Sequence, residues 1–341
     1  MDRNSDTIFK IENLFVKIPT RQGTVHAVNG ITLSIEKGQT LGLVGESGCG
    51  KTVSCLTALG LQKKHFRVKG KTCLNHREIH MLTPSEKRRV LGKQVGFIMQ
   101  NPMQAFNPLI TIEEHFRETI RSHKKASLSE VRKSANDLLQ KVGLAGYEKI
   151  LHQYPIQLSG GMLQRVMIAL ALILKPRLLI ADEPTTALDT TLQSQIVKLF
   201  KKLKKNSDIS ILLISHDVDM IASIADKISV MYAGYIVEQG PTEEVISRPL
   251  HPYTKGLLLS RPRFSKERLH TIPGHPPSLL NLADGCPFYQ RCFSSGPLCP
   301  SFSMDLQHCG NGHFVSCAYI DKSFDKHKVQ EHGSPRDTVN F

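Results

Sequence analysis

The chain has 341 residues, of which 40% are hydrophobic, 22% charged and 6% aromatic, with no Trp. This composition excludes a disordered, collagen-like or disulfide-scaffold protein, and the length allows two or three domains around a core that needs no staples. Lys+Arg 44 against Asp+Glu 30 leaves a net charge of +14, which favours anionic partners. The basic runs at 63–93 and 201–205 are not interleaved with aromatics, so nucleic acid is not an expected partner. No run of about 18 uncharged apolar residues occurs, and the N-terminus shows no charged-then-apolar leader, so a cytosolic protein is expected.

Residues 8–18 and 24–35 are rich in alternating and β-branched side chains and predict two strands split at Gly23. Residues 40–44 form a short apolar strand that runs into a Gly-rich loop, and a helix follows from Lys51. Strand–loop–helix is the kernel of an α/β nucleotide fold. An apolar strand at 95–99 precedes Gln100. From about 101 to 175 the pattern turns helical. A helix is predicted at 112–122, and Ser127 with Glu130 forms a capping box before another at 128–142, where Val131, Ala135, Leu138, Leu139 and Val142 recur at helical spacing. This stretch reads as a helical subdomain inserted in the sheet domain. Strands at 177–182 and 209–215, a helix at 190–205 and a hairpin around Ala233-Gly234 follow. Buried apolar strands alternating with helices predict a mostly parallel sheet. After about residue 250, Pro249, Pro252, Pro262, Pro273, Pro276 and Pro277 predict a linker. Five of the eight cysteines then crowd together: Cys286, Cys292, Cys299, Cys309 and Cys317. In a cytosolic protein such a cluster leans towards metal rather than disulfides. The tail at 321–341 is polar and without periodicity, and is expected to be disordered.

Gly45-Glu46-Ser47-Gly48-Cys49-Gly50-Lys51-Thr52 fits G-x-x-x-x-G-K-[ST]. Its glycines let backbone N–H groups wrap phosphate oxygens at a helix N-terminus, Lys51 is placed to reach the β/γ-phosphates, and Thr52 to ligate Mg²⁺. Residues 178–183 are an apolar strand ending in Asp182 and Glu183. Two acids at a strand end are usually only solvated. Delivered by a parallel strand to a phosphate loop, Asp182 can hold the Mg²⁺ shell and Glu183 can polarise an attacking water. Leu158-Ser159-Gly160-Gly161-Met162 opens a helix and offers bare N–H donors to an anion. Gln100 after a strand, and His216-Asp217 after another, are uninformative alone.

Their order makes the case. Phosphate loop, Gln100, Leu-Ser-Gly-Gly, the acid pair, Ala187-Leu188-Asp189 and a strand followed by His216 occur in one chain, which resembles an ABC-transporter ATPase from about residue 8 to 320. The resemblance implies a P-loop NTPase fold of α/β class. It has a mostly parallel sheet, an N-terminal antiparallel β-subdomain, the helical subdomain at 101–175 within an ATPase domain at 7–250, and a small Cys-rich C-terminal extension at 251–320. It implies a head-to-tail dimer with each ATP between one subunit's phosphate loop and the other's Leu-Ser-Gly-Gly. Gly45, Ser47, Gly48, Gly50, Lys51 and Thr52 would bind nucleotide. Thr52, Gln100 and Asp182 would serve Mg²⁺, and Gln100 would sense the γ-phosphate and couple to the membrane partner. Ser159, Gly160 and Gly161 would cap the γ-phosphate of the opposite site. Glu183 would be the catalytic base, Asp189 an interface residue and His216 a γ-phosphate contact. One position departs from the family: Ile18, with Phe15 close by, stands where an aromatic residue usually stacks on adenine.

His251-Pro252-Tyr253-Thr254, the stretch at 271–277 and Gly285-Cys286-Pro287-Phe288 with Arg291-Cys292 resemble the oligopeptide/dipeptide/nickel importer ATPases. That resemblance implies a [4Fe–4S] cluster on Cys286, Cys292, Cys299 and Cys317, with Cys309 unassigned. The C-x5-C and C-x6-C spacings are not those of ordinary zinc fingers, and reduced thiols without metal remain the alternative. It also implies two transmembrane permease subunits, a second similar ATPase making a heterodimer, an extracytoplasmic binding protein acting indirectly, and a peripheral place on the cytoplasmic side of the inner membrane. Peptide is the expected cargo. The 98–109 stretch looks more like the nickel branch and keeps nickel or a metal chelate as the alternative. A soluble ABC-type ATPase in translation or repair is the rival from another class; against it stand the single cassette and the absence of sustained heptads.

Overall fold

The structure, a computed structural model, describes residues 6–144, 146–185, 188–206, 208–261 and 271–320. Ala187, Pro262 and the polar tail from Asp321 lie outside the described residues. In chain order the elements are β1 (Thr7–Thr20), β2 (Gly23–Glu36), β3 (Thr40–Val44), α1 (Lys51–Ala58), β4 (Arg67–Leu74), β5 (Arg77–Glu78), α2 (Pro84–Gln94) and β6 (Val95–Ile98). Then come α3 (Pro102–Ala105), α4 (Ile112–Arg121), α5 (Leu128–Lys141), α6 (Tyr147–Leu151), α7 (Gly160–Leu172), β7 (Leu178–Asp182), α8 (Thr190–Asn206) and β8 (Ser210–Ser215). The last are α9 (Val218–Ala222), β9 (Lys227–Tyr232), β10 (Tyr235–Pro241), α10 (Thr242–Ser247), α11 (Pro252–Leu259), β11 (Gln307–His308) and β12 (Phe314–Val315).

Two sheets organise the chain. The first is antiparallel, in the order β2-β1-β4-β5. The second runs β11-β12-β10-β9-β3-β8-β7-β6. Its strands from β9 to β6 are parallel, and β10, β12 and β11 extend it as an antiparallel edge. The central strands β3, β7 and β8 are buried at every position, which is why they read as continuous apolar runs. Because they are parallel, the segments after β3, β6, β7 and β8 all emerge at one edge of the sheet.

Two apolar cores flank this sheet. One holds Phe9, Ile31, Cys55 of α1, Leu178 and Ile214, between the two sheets. The other holds Phe116, Leu139, Leu163 and Phe200, between the parallel sheet and the helical layer. The helical layer follows its local signals. Ser127 and Glu130 form the expected capping box, and Val131, Ala135 and Leu139 are buried on α5. Thr111 caps α4 through the Glu114 N–H.

Three features differ from the sequence-based expectation. β4, β5 and α2 lie in the stretch that reads only as basic. The proline-rich stretch after 250 is not simply a linker: Pro252 occupies the first turn of α11, where its missing N–H costs nothing, and Tyr253, Thr254, Lys255 and Leu258 are buried. The cysteine segment is not a separate unit either, since β12 pairs with β10 of the main sheet at Glu238↔Val315 and Gln239↔Phe314. Among the described residues no helix is long and apolar enough to cross a membrane.

Candidate functional site

The loop at 45–50 turns from β3 into α1. Gly50, the residue before the helix, has φ +107°, and a Cβ there would lie 2.3 Å from the Ala27 carbonyl oxygen. Only glycine fits both demands. Lys51 is buried, and its Nζ donates to the carbonyls of Gly45 (2.7 Å) and Glu46 (2.9 Å). The ammonium is thereby held inside the loop, where N–H groups and the start of α1 add positive potential.

β7 carries the acid pair to the same edge. Thr52 Oγ1 donates to Asp182 Oδ2 at 2.7 Å. Asp182 Oδ1 is buried and, among the described residues, accepts no hydrogen bond. Burial pushes the Asp182 carboxyl above its ordinary range; the Thr52 bond pulls it back and Glu183 pushes it up again. A buried carboxylate oxygen without a partner, next to a hydroxyl, is the donor set a hard divalent cation takes. Glu183 is buried, with φ +50°. That left-handed backbone is uncommon for a residue with a Cβ, and the surroundings hold it: its N–H donates to the Ile214 carbonyl at 2.9 Å. Its Oε2 lies 2.8 Å from His216 Nδ1. Gln164 of α7, which the sequence reading did not single out, donates to the Pro184 carbonyl at 2.8 Å and fixes the turn after the acids.

A cavity of about 250 Å³ joins these parts. Ser47, Gly48, Gly50, Lys51, Thr52, Gln100 and Glu183 line its polar side; Ile18, Val25, Ala27, Val53 and Leu279 line its apolar side. A second cavity, of about 520 Å³, shares Thr52 and Gln100 with the first, adds Asp182, and extends past Gln164 to Gly160. The Leu-Ser-Gly-Gly segment does not line the first cavity. Ser159 caps α7 through the Met162 N–H (3.3 Å), Gly160 borders the larger cavity, and Gly161 packs against Leu192. Asp189 is exposed and caps the start of α8, its Oδ1 accepting from the Leu192 N–H at 2.8 Å.

The cysteine segment grips the cassette. Arg291 is buried and forks onto Glu46 of the phosphate loop, Nη1 to Oε2 at 2.9 Å and Nη2 to Oε1 at 3.1 Å. Glu46 N–H donates to the Tyr253 hydroxyl at 2.9 Å. Glu238 is wholly buried and accepts from the N–H groups of Leu250 (2.8 Å) and His251 (2.9 Å), with His313 Nε2 at 2.7 Å. In the sequence Arg291 stands out only through the Arg291-Cys292 resemblance, which assigns it no partner, and Glu238 carries no signal beyond the apolar neighbours that mark its surroundings as buried.

None of the eight cysteines, all of them among the described residues, is in a disulfide. Burial, and then the nearby Cys299, Cys292 and Cys317, push the Cys286 thiol up to about 11. Burial also raises Cys292 and Cys317, each with Cys299 nearby. The four expected ligands therefore lie within electrostatic reach of one another. Cys309 sits elsewhere, its N–H donating to the His313 carbonyl at 2.8 Å. Soft thiols suit a cluster in kind. In placement they do not: among the described residues no three His, Cys, Asp or Glu side chains are gathered to hold an ion.

The ABC transporter family matches residues 28–186, and the C-terminal region of oligopeptide/dipeptide transporters matches residues 237–299. The dipeptide transport ATP-binding protein DppD of Bacillus subtilis is 40% identical over 321 residues, covering 93% of this chain and 96% of its own length. The oligopeptide transport ATP-binding protein OppD of Escherichia coli is 41% identical over 301 residues, covering 88% and 89%. Among solved structures, the dimeric bacterial ABC transporter cassette MJ0796 superposes with TM-score 0.63 at 26% identity, over 69% of this chain and 98% of that one. With the phosphate loop, the Thr52–Asp182 pair and the Glu183–His216 pair on one sheet edge, the chain belongs to the ATP-binding ABC ATPase subunits of the oligopeptide/dipeptide transporter family.

Proposed function

We propose that this chain hydrolyses MgATP to power import of di- or oligopeptides, docked on the cytoplasmic face of two membrane permease subunits. The observation that carries the chemistry is the single sheet edge where the phosphate loop, the buried Asp182 and the Glu183–His216 pair meet. The cargo rests on the relatives, named for dipeptide and oligopeptide transport. Nickel draws no support from them.

In this reading the loop N–H groups and Lys51 hold the phosphates, and catalysis is mainly positioning and charge stabilisation. Mg²⁺, bound at Thr52 and Asp182 with Gln100 alongside, would neutralise charge on the phosphate oxygens. Glu183 takes the proton of the attacking water. The bond from His216 aims its carboxylate, and His216, largely exposed at the rim, is free to turn to the γ-phosphate. Ser159, Gly160 and Gly161 lie outside the phosphate-loop cavity of their own chain. This supports their use on the nucleotide of a second subunit, with Asp189 at that interface. The second subunit is read as a similar chain rather than a copy, and a binding protein acts from the far side. The [4Fe–4S] reading of Cys286, Cys292, Cys299 and Cys317 rests on the family resemblance and the proximity of the four thiols. The thiols are not gathered for an ion, so no step is routed through a cluster.

The test is recovery of the tagged full-length chain from membranes, with partners identified by mass spectrometry. Two permease subunits and a second ATPase are expected; the cluster reading requires in addition iron with labile sulfide in the anaerobic preparation. Recovery of ribosomes or of no membrane protein would overturn the transport reading. Zinc alone, or no metal, would remove the cluster.

A further inference from the structure

The nucleotide cavity has an apolar end that the phosphate-binding groups do not use. A strap at 271–281, part of the C-terminal extension, crosses it. Two backbone bonds and one side-chain bond sew the strap to β2: His26 N–H donates to the Leu279 carbonyl (2.8 Å), Asn281 N–H to the Thr24 carbonyl (2.9 Å), and Thr24 N–H to the Asn281 side-chain Oδ1 (3.2 Å). Leu280 bridges Val25 in antiparallel fashion. Gly23 permits this approach, because a Cβ there would lie 2.7 Å from the Asn281 amide. The other end of the strap is tied to the phosphate loop. Arg291 Nε donates to the Pro273 carbonyl at 2.8 Å, while its guanidinium holds Glu46. At the β2 anchor Leu279 joins Ile18 and Val25 in the cavity wall.

Among the described residues no aromatic side chain lines this cavity. The triphosphate is committed to the end built from Lys51, Thr52 and the loop N–H groups, so the base falls to the apolar end. We propose that Leu279, supplied by the C-terminal strap of the same chain, is a nucleotide-binding residue that packs on the adenine opposite Ile18 and Val25. The aliphatic clamp takes the place of aromatic stacking: it removes the flat faces of the base from water, and needs no ring to do so. The C-terminal extension is then part of the ATP site as well as an appendage of it. The inference rests on reading this cavity as the ATP site.

The test is calorimetric titration of the full chain with MgADP and, separately, with magnesium pyrophosphate, which has no base. Parent, Leu279→Ala, Leu279→Phe and Leu280→Ala are compared, the last because Leu280 does not line the cavity. Leu279→Ala is expected to weaken MgADP about five- to tenfold, the worth of a few methyl contacts. Pyrophosphate affinity stays within about twofold, since the phosphate end is untouched. Leu279→Phe, which offers the base a ring face, tightens MgADP binding and leaves pyrophosphate unmoved, and it carries the test if the alanine variant does not fold. Unchanged MgADP affinity in both variants overturns the inference, as does an equal loss for MgADP and pyrophosphate. A parent chain that binds neither ligand removes the ATP-site reading, and the inference with it.

Discussion

Replacing Arg291 by Met tests whether the C-terminal extension and the phosphate loop are one energetic unit. Arg291 has a side-chain exposure of 7% and Glu46 of 25%. The guanidinium makes four hydrogen bonds: two to Glu46, one to the Tyr232 hydroxyl at 3.2 Å, and one to the Pro273 carbonyl. It also lies 5.8 Å from the Tyr232 ring centre and 5.9 Å from that of Phe288. Burial alone would lower the Arg291 pKa, but the bonds to Glu46 and Tyr232 outweigh it and raise it above the ordinary value. Methionine keeps the apolar contacts and removes the charge and the fork. Breaking a buried pair on one side costs about 3–5 kcal/mol. Water reaches the quarter-exposed Glu46 and recovers part of this, so the expected loss is about 2–4 kcal/mol. Urea unfolding of the full chain, as a cycle with Glu46→Gln and the double variant, reads it. The double variant is expected to be little worse than Arg291→Met, with a coupling of about 2 kcal/mol. Arg291→Lys keeps the charge without the fork and recovers only part of the loss. A loss below about 1 kcal/mol, or strict additivity, would refute the reasoning.

Glu183→Gln removes the proton acceptor and keeps the shape of the site. MgATP binding is expected to survive while turnover in the assembled transporter falls at least about 100-fold; turnover near the parent rate sinks the assignment of the base. Thr52→Ala leaves Asp182 Oδ2 without its 2.7 Å donor, and should raise the Mg²⁺ concentration needed for half-maximal ATPase about tenfold, a change of about 1.4 kcal/mol; an unmoved Mg²⁺ dependence places the cation elsewhere. His251 gives a pH signature. Burial, with Lys255 nearby, lowers its pKa to about 3, while the unfolded chain titrates near 6.5, so below that pH the unfolded state binds the extra proton. Stability is therefore full above pH 6.5 and declines as pH falls towards 3, at a limiting slope of about 1.4 kcal/mol per unit. His251 Nδ1 caps α11 by accepting from the Tyr253 N–H at 3.0 Å. Asn keeps that acceptor and has no proton to gain, so between pH 7 and 5 the parent should lose about 2 kcal/mol more than His251→Asn. Parallel losses would show that another group carries the acid sensitivity.

What the sequence made legible was short in range. The phosphate loop is eight consecutive residues, and its geometry follows from glycines at fixed offsets. Asp182 ends one buried strand, and Glu183 and His216 each sit one step beyond one, so their convergence followed once the strands were read as parallel. The capping box at Ser127 and Glu130 is local chemistry and appears as read. α2 escaped notice because its face is almost wholly polar, with Val90 its buried residue. α11 escaped because a proline that opens a helix looks, in sequence, like one that breaks it. β11 and β12 are two residues each, too short for any period to register. Arg291 and Glu46 are 245 positions apart, and no local pattern announces such a partner.

These long-range pairs change what the cysteine segment is. Its strand completes the main sheet, Glu238 of β10 holds both the start of α11 and His313, and Arg291, next to Cys292, closes on the phosphate loop. None of these contacts is available to the segment folded alone, so its order is borrowed from the cassette. Linkage then runs both ways. Whatever stabilises the docked form of the segment must stabilise the loop geometry that Glu46 belongs to, and by the same free energy a nucleotide that orders that loop must steady the segment. The coupling has a physical carrier, a two-pronged charged contact with one face in each part. Its size is bounded by what that contact is worth, about 2 kcal/mol by the cycle above, or about thirtyfold in an affinity.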